Sequence, residues 1–60
     1  MNSFDCLQKA EEVCSERGYQ IGLVPYGKIE EIMSVLTESN FDDCVNLIVE
    51  EARVIHEGNV

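Results

Sequence analysis

Basic residues are scarce. Lys9, Arg17, Lys28 and Arg53 stand against twelve carboxylates, giving a net charge of −8 with His56 neutral. Direct contact with nucleic-acid phosphates would therefore be repulsive, whereas a protein partner with a basic surface would be attracted. Long hydrophobic runs are also missing. No stretch approaches the roughly 20 apolar residues needed to cross a bilayer, and acidic faces are wrong for lying on anionic lipid, so no membrane role is expected. Cysteine is limited to Cys6, Cys14 and Cys44, an odd number with no pair separated by two to four residues. Zinc sites usually need such pairs. The N-terminus lacks the basic start and apolar core of a signal peptide, which makes the reducing cytosol the expected compartment and the thiols small packing groups. Cys6 and Cys14, on one predicted helix, lie about 12 Å apart along its axis and cannot bridge each other.

What is present suits a folded chain. At 45% hydrophobic content the 60 residues exceed what a disordered acidic tail would carry, and 1–60 reads as a single small domain. A domain of this size buries only roughly 60% of the surface its unfolded chain exposes. Disulfides, a metal or oligomerisation are the usual further support, and the cysteine pattern leaves oligomerisation as the expected route. The acidity has a simple use as well, because net charge of this size keeps a small protein dispersed.

The strongest pattern runs from Phe41 to Ile55. Phe41, Cys44, Val45, Ile48, Ala52 and Ile55 recur at three- and four-residue steps and fall on one face of a helix. Leu47 and Val54 lie outside that face, among Asp43, Glu50 and Glu51, and form a second apolar stripe. One stripe is expected to face the chain's own helices and the other a second copy.

The remaining elements are expected as follows. Asn2 or Ser3 caps a first helix near 3–17, with Asp5 in its first turn, Arg17 in its last and Gly18 closing it. Its apolar stripe is read as Phe4, Leu7, Ala10, Val13 and Cys14 with Cys6 beside them, and Tyr19 is expected to fold back onto Cys14. Tyr19 to Pro25 breaks the helical period and reads as a short extended connector, a loop in preference to a strand, because a lone strand has unpaired edges. A second helix near 26–38 follows, with Ile29, Ile32, Met33 and Leu36 on its stripe and Val35 off it. Ser39 or Asn40 is expected to cap a third helix near 40–57, with Asp42 or Asp43 at its third position and Gly58 and Asn59 at its end. The fold class is thus all-α, the last two helices folding back as an antiparallel hairpin.

Three constellations invite a chemical reading. Gly22 to Lys28 reproduces the spacing of a phosphate-binding loop up to its lysine, but Ile29 stands where magnesium needs a Ser or Thr. The parallel sheet that surrounds such a loop also has no room here. Cys6, Cys14, Cys44 and His56 supply the right ligand types for zinc at the wrong spacing. A Cys–His nucleophile pair has no readable oxyanion hole or orienting third group. The adjacent carboxylates Glu11/Glu12, Glu30/Glu31, Asp42/Asp43 and Glu50/Glu51 would diverge on helices rather than converge on a ligand. No enzymatic activity, metal or cofactor is expected.

The functional expectation is a small acidic intracellular protein that acts through protein–protein contact, as a homodimer or regulatory accessory subunit. Its interface residues are expected to be Leu47, Val54, Val35, Tyr19, Ile21 and Leu23, the apolar positions that a thin three-helix layer leaves over. The alternative makes the acidity functional: a phage- or mobile-element-encoded inhibitor whose carboxylates occupy a basic nucleic-acid-binding site on a host protein.

Overall fold

The computed structural model describes residues Asn2 to Gly58, so Asn59 lies outside the described residues. Among the described residues there are three α-helices and no strand: α1 is Ser3–Arg17, α2 is Tyr26–Met33 and α3 is Phe41–Gly58. A 3₁₀ turn at Ile21–Leu23 joins α1 to α2.

Local chemistry sets both ends of α1. The Asn2 side chain accepts a hydrogen bond from the Asp5 N–H at 2.9 Å, satisfying an amide that the first turn leaves without a partner. At the other end Gly18 takes a left-handed conformation with φ of 79°. The Gly18 N–H donates to the Ser15 carbonyl at 3.2 Å and the Tyr19 N–H to the Cys14 carbonyl at 2.8 Å. These are the paired bonds of a Schellman closure, and they turn Tyr19 back along the helix as expected.

The connector differs from an extended loop. Gln20 and Val24 have extended angles, but between them the chain tightens, with Leu23 N–H bonded to the Gln20 carbonyl and Val24 N–H to that of Ile21. The turn brings Val24 into the core, while Pro25 at ψ of 136° ends it and starts α2.

The second helix is shorter than its apolar period implies. The Ser34 hydroxyl donates to the Glu31 carbonyl at 2.7 Å, and Val35 and Leu36 bond three residues back instead of four. Asn40 then takes over the backbone. Its amide donates to the Val35 carbonyl at 2.7 Å and its side-chain oxygen accepts from the Thr37 N–H at 2.6 Å. Asn40 does stand immediately before α3, and its carbonyl accepts from the Cys44 N–H, yet its side chain serves the preceding loop rather than the helix amides. Asp42 and Asp43 favour the helix start through its dipole.

The core lies along α3, on which α1, α2 and the 3₁₀ turn all pack; α1 and α2 hardly meet each other. α3 contributes Cys44, Val45, Ile48, Val49 and Ala52, α1 contributes Cys6, Ala10 and Cys14, and Val24 and Ile32 complete the buried set. Val49 was not on the expected stripe; it sits at the stripe's flank and is buried with the rest of the core. Phe4 is the opposite case. Assigned to the core face by its spacing, it is 69% exposed. At about 100° per residue it lies roughly 120° from the line through Cys6, Ala10 and Cys14, too far round to reach α3.

Candidate interaction surface

The cysteines of the zinc and nucleophile readings are all buried thiols. Burial pushes the Cys6 thiol above its ordinary value, with Cys44 adding to the shift, and it pushes Cys14 up against an opposing pull from Arg17. Neither has the lowered pKa that activates a cysteine. The Cys44 thiol points at the Ile32 carbonyl at 3.8 Å and at the Asn40 side-chain oxygen at 3.6 Å, so it ties α3 to the end of α2. His56 is exposed and lies against Tyr19, ring centroids 5.3 Å apart. Among the described residues no three His, Cys, Asp or Glu side chains converge on a point.

The glycine-rich segment uses its amides internally. Lys28 and Ile29 N–H groups both donate to the Pro25 carbonyl, at 3.0 and 3.2 Å, and those of Leu23 and Val24 close the 3₁₀ turn. The Lys28 ammonium lies 3.8 Å from Glu51 of α3. Amides and lysine are thus directed into the fold rather than toward a common anion. The adjacent acidic pairs diverge: Glu12 is near Lys9 while Glu11 is not, and Glu50 bonds Arg53 while Glu51 turns to Lys28. Arg53 bridges Glu50 and Glu57 along α3, and its hydrogen bonds hold the Glu50 carboxyl below the usual glutamate range and push the guanidinium pKa up. Among the described residues only Glu12, Glu50, Glu51 and Glu57 have a cation within 4.0 Å; the other eight carboxylates do not.

What remains without a partner inside the fold is apolar surface, and it falls in two places. The first is the outer side of α3. Val35, Leu47 and Val54 are 51–60% exposed. Val35 and Leu47 line one shallow depression with Ile32, Ser34 and the Lys28–Glu51 pair. Of the other residues expected at an interface, Leu23 is exposed, whereas Tyr19 and Ile21 are half-buried against the chain's own core.

The second place is a groove between α1 and α2, lined by Phe4 and Leu7 from one and Tyr26, Ile29 and Met33 from the other. It continues past Leu7, Tyr26 and Ile29 to the 3₁₀ turn and Leu23. Tyr26 is 73% exposed, the largest value among the large hydrophobic residues described. This groove escaped the sequence reading, although a signal was there: Tyr26, Ile29 and Met33 follow three- and four-residue steps of their own, adjacent to the Ile32–Leu36 line. No protein family, curated protein or solved structure matches this chain.

Proposed function

We propose that this chain is a small acidic interaction or regulatory accessory protein of the reducing cytosol, acting by contact rather than catalysis and working as a homodimer. The observation that carries the reading is the exposure of Phe4, Leu23, Tyr26, Val35, Leu47 and Val54 on a chain of only 60 residues. Fully burying a leucine or valine is worth roughly 1.5–3 kcal/mol, a large amount beside the stability of so small a domain.

In the proposed dimer α2 and α3 act as an antiparallel hairpin whose outer side, Val35, Leu47 and Val54, meets its own copy across a two-fold axis. Leu47 and Val54 are seven residues apart and return to nearly the same angle two turns on, the spacing of a helix–helix seam. Repulsion between copies is reduced because two of the four carboxylates beside the seam, Glu31, Asp43, Glu50 and Glu51, are compensated within the chain, Glu50 by Arg53 and Glu51 by Lys28. Sedimentation equilibrium tests this directly. Wild type is expected as a dimer and Leu47→Lys/Val54→Lys as a folded monomer; a monomeric wild type removes the dimer, and an unaffected double variant moves its interface.

The eight carboxylates with no cation nearby among the described residues favour a second reading, an inhibitor that covers a basic nucleic-acid-binding site on another protein. Added salt separates the two, since a complex held by charge weakens with salt while an apolar dimer persists.

A further inference from the structure

The groove between α1 and α2 has apolar side chains on both walls, of which Phe4 and Tyr26 are exposed while Leu7, Ile29 and Met33 are half-buried, Ile29 and Met33 resting on the core with one side. Phe4 and Leu7 stand on α1, and Tyr26, Ile29 and Met33 on α2. Tyr26 to Met33 spans about 10 Å, two helical turns. Its rim is acidic: Glu30 borders the groove at the α2 wall and Glu11 at the α1 wall, toward the 3₁₀ turn. Among the described residues no lysine, arginine or histidine lines it. Three of the four cations are directed elsewhere, Lys9 to Glu12, Lys28 to Glu51 and Arg53 to Glu50 and Glu57.

Those charges select the occupant. A second copy of this chain would bring the same carboxylates to the same rim. An extended peptide would find no sheet edge to continue, because there is no strand among the described residues. We propose that the groove receives an amphipathic helix of another protein, with apolar residues at i, i+3 or i+4, and i+7 packed on Phe4, Leu7, Tyr26, Ile29 and Met33, and with lysine or arginine beside them facing Glu11 and Glu30. This rests on the reading of the chain as an interaction protein and is independent of the dimer seam, which lies on Val35, Leu47 and Val54. It names the partner's chemistry: basic around an apolar stripe, bound as a third helix beside α1 and α2.

The test uses the full-length protein and three synthetic helical peptides at about 0.15 M salt. The first carries leucine at i, i+3 and i+7 flanked by lysine. The second replaces the lysines by glutamate, and the third keeps the lysines but replaces the leucines by serine. Isothermal titration calorimetry is expected to give the first peptide an affinity at least about tenfold above either control, the effect of a few surface ion pairs or of the lost apolar contact. Tyr26→Ser and Phe4→Ser should weaken that binding about fivefold or more while far-ultraviolet circular dichroism stays unchanged, and Leu47→Ser should leave it intact. Equal affinity for all three peptides, or no binding of the first up to about 1 mM, overturns the proposal. So does loss of binding in Leu47→Ser but not in Tyr26→Ser. If Phe4→Ser/Tyr26→Ser turns a dimeric wild type into a monomer, the groove belongs to a second copy and the proposal fails, whereas a monomeric wild type that binds the first peptide retains the groove and rejects only the dimer.

Discussion

Along α1 the residues buried in the core are Cys6, Ala10 and Cys14, whereas those bordering α2 are Phe4 and Leu7. The same helix therefore carries its small side chains inward, where α3 lies against them, and its largest one outward. α2 repeats the arrangement, with Ile32 buried and Tyr26 open. Small residues on a helix face allow close approach and leave little room for adjustment, so the α1–α3 seam is where the fold is determined. At the groove, Phe4 and Tyr26 contribute area without contributing constraint, whereas Ile29 and Met33 also pack against the core. Apolar content by itself thus says little about what holds a small domain together; its position relative to the one helix that everything else touches says more.

The largest effect is expected at Ile48, which is fully buried in the middle of α3. Ile48→Ala is expected to cost about 2–5 kcal/mol, enough to remove most or all of the cooperative urea transition of a domain this small. Enlarging the seam is next: Ala10→Leu should cost about 1–3 kcal/mol by forcing α1 away from α3, read as a lower urea midpoint with little change in slope. Gly18→Ala should cost about 1–2 kcal/mol, because φ of 79° suits glycine alone and the closure directs Tyr19 onto the core. At the groove, by contrast, Phe4→Ser and Tyr26→Ser should each shift stability by less than about 0.5 kcal/mol. A loss there as large as at Ala10 would place the groove within the folding core and erase the distinction.

A pH series sharpens the same contrast. The Cys6 and Cys14 thiols have raised pKa values in the folded chain, so the folded state holds their protons more tightly than the unfolded state. That contribution is complete below the ordinary thiol value of 9.0 and is lost as pH rises through the folded values. Under reducing conditions the denaturation midpoint should fall above that pH, and Cys6→Ala/Cys14→Ala should remove the dependence. An unchanged alkaline slope in the double variant would mean that other groups control it.

Much of the architecture was legible because it is local. Asn2, Gly18 and the long stripe of α3 carry their geometry in a few adjacent residues, and each acts close to where it was expected. The end of α2 was not legible, since Val35 and Leu36 keep a helical rhythm while Ser34, Thr37 and Asn40 redirect the backbone through their side chains. The groove was missed for a different reason. Spacing alone places Phe4 on an apolar stripe, but whether that stripe meets anything depends on where α2 lies after a 3₁₀ turn, a fact of tertiary geometry. Leu47 and Val54 were recognisable as surplus because α3 could be placed on a wheel by itself.

The three buried thiols make the protein its own recorder of breathing motions. Cys6 and Cys14 are covered when α1 lies on α3, and Cys44 when α3 meets the end of α2. An alkylating reagent in solution reaches each sulfur only through an opening that uncovers it. Mass spectrometry of partly labelled protein would therefore report how often α1 and α2 separate from the central helix, Cys14 reporting on α1 and Cys44, which neighbours both Cys6 and the end of α2, on either, with no residue changed.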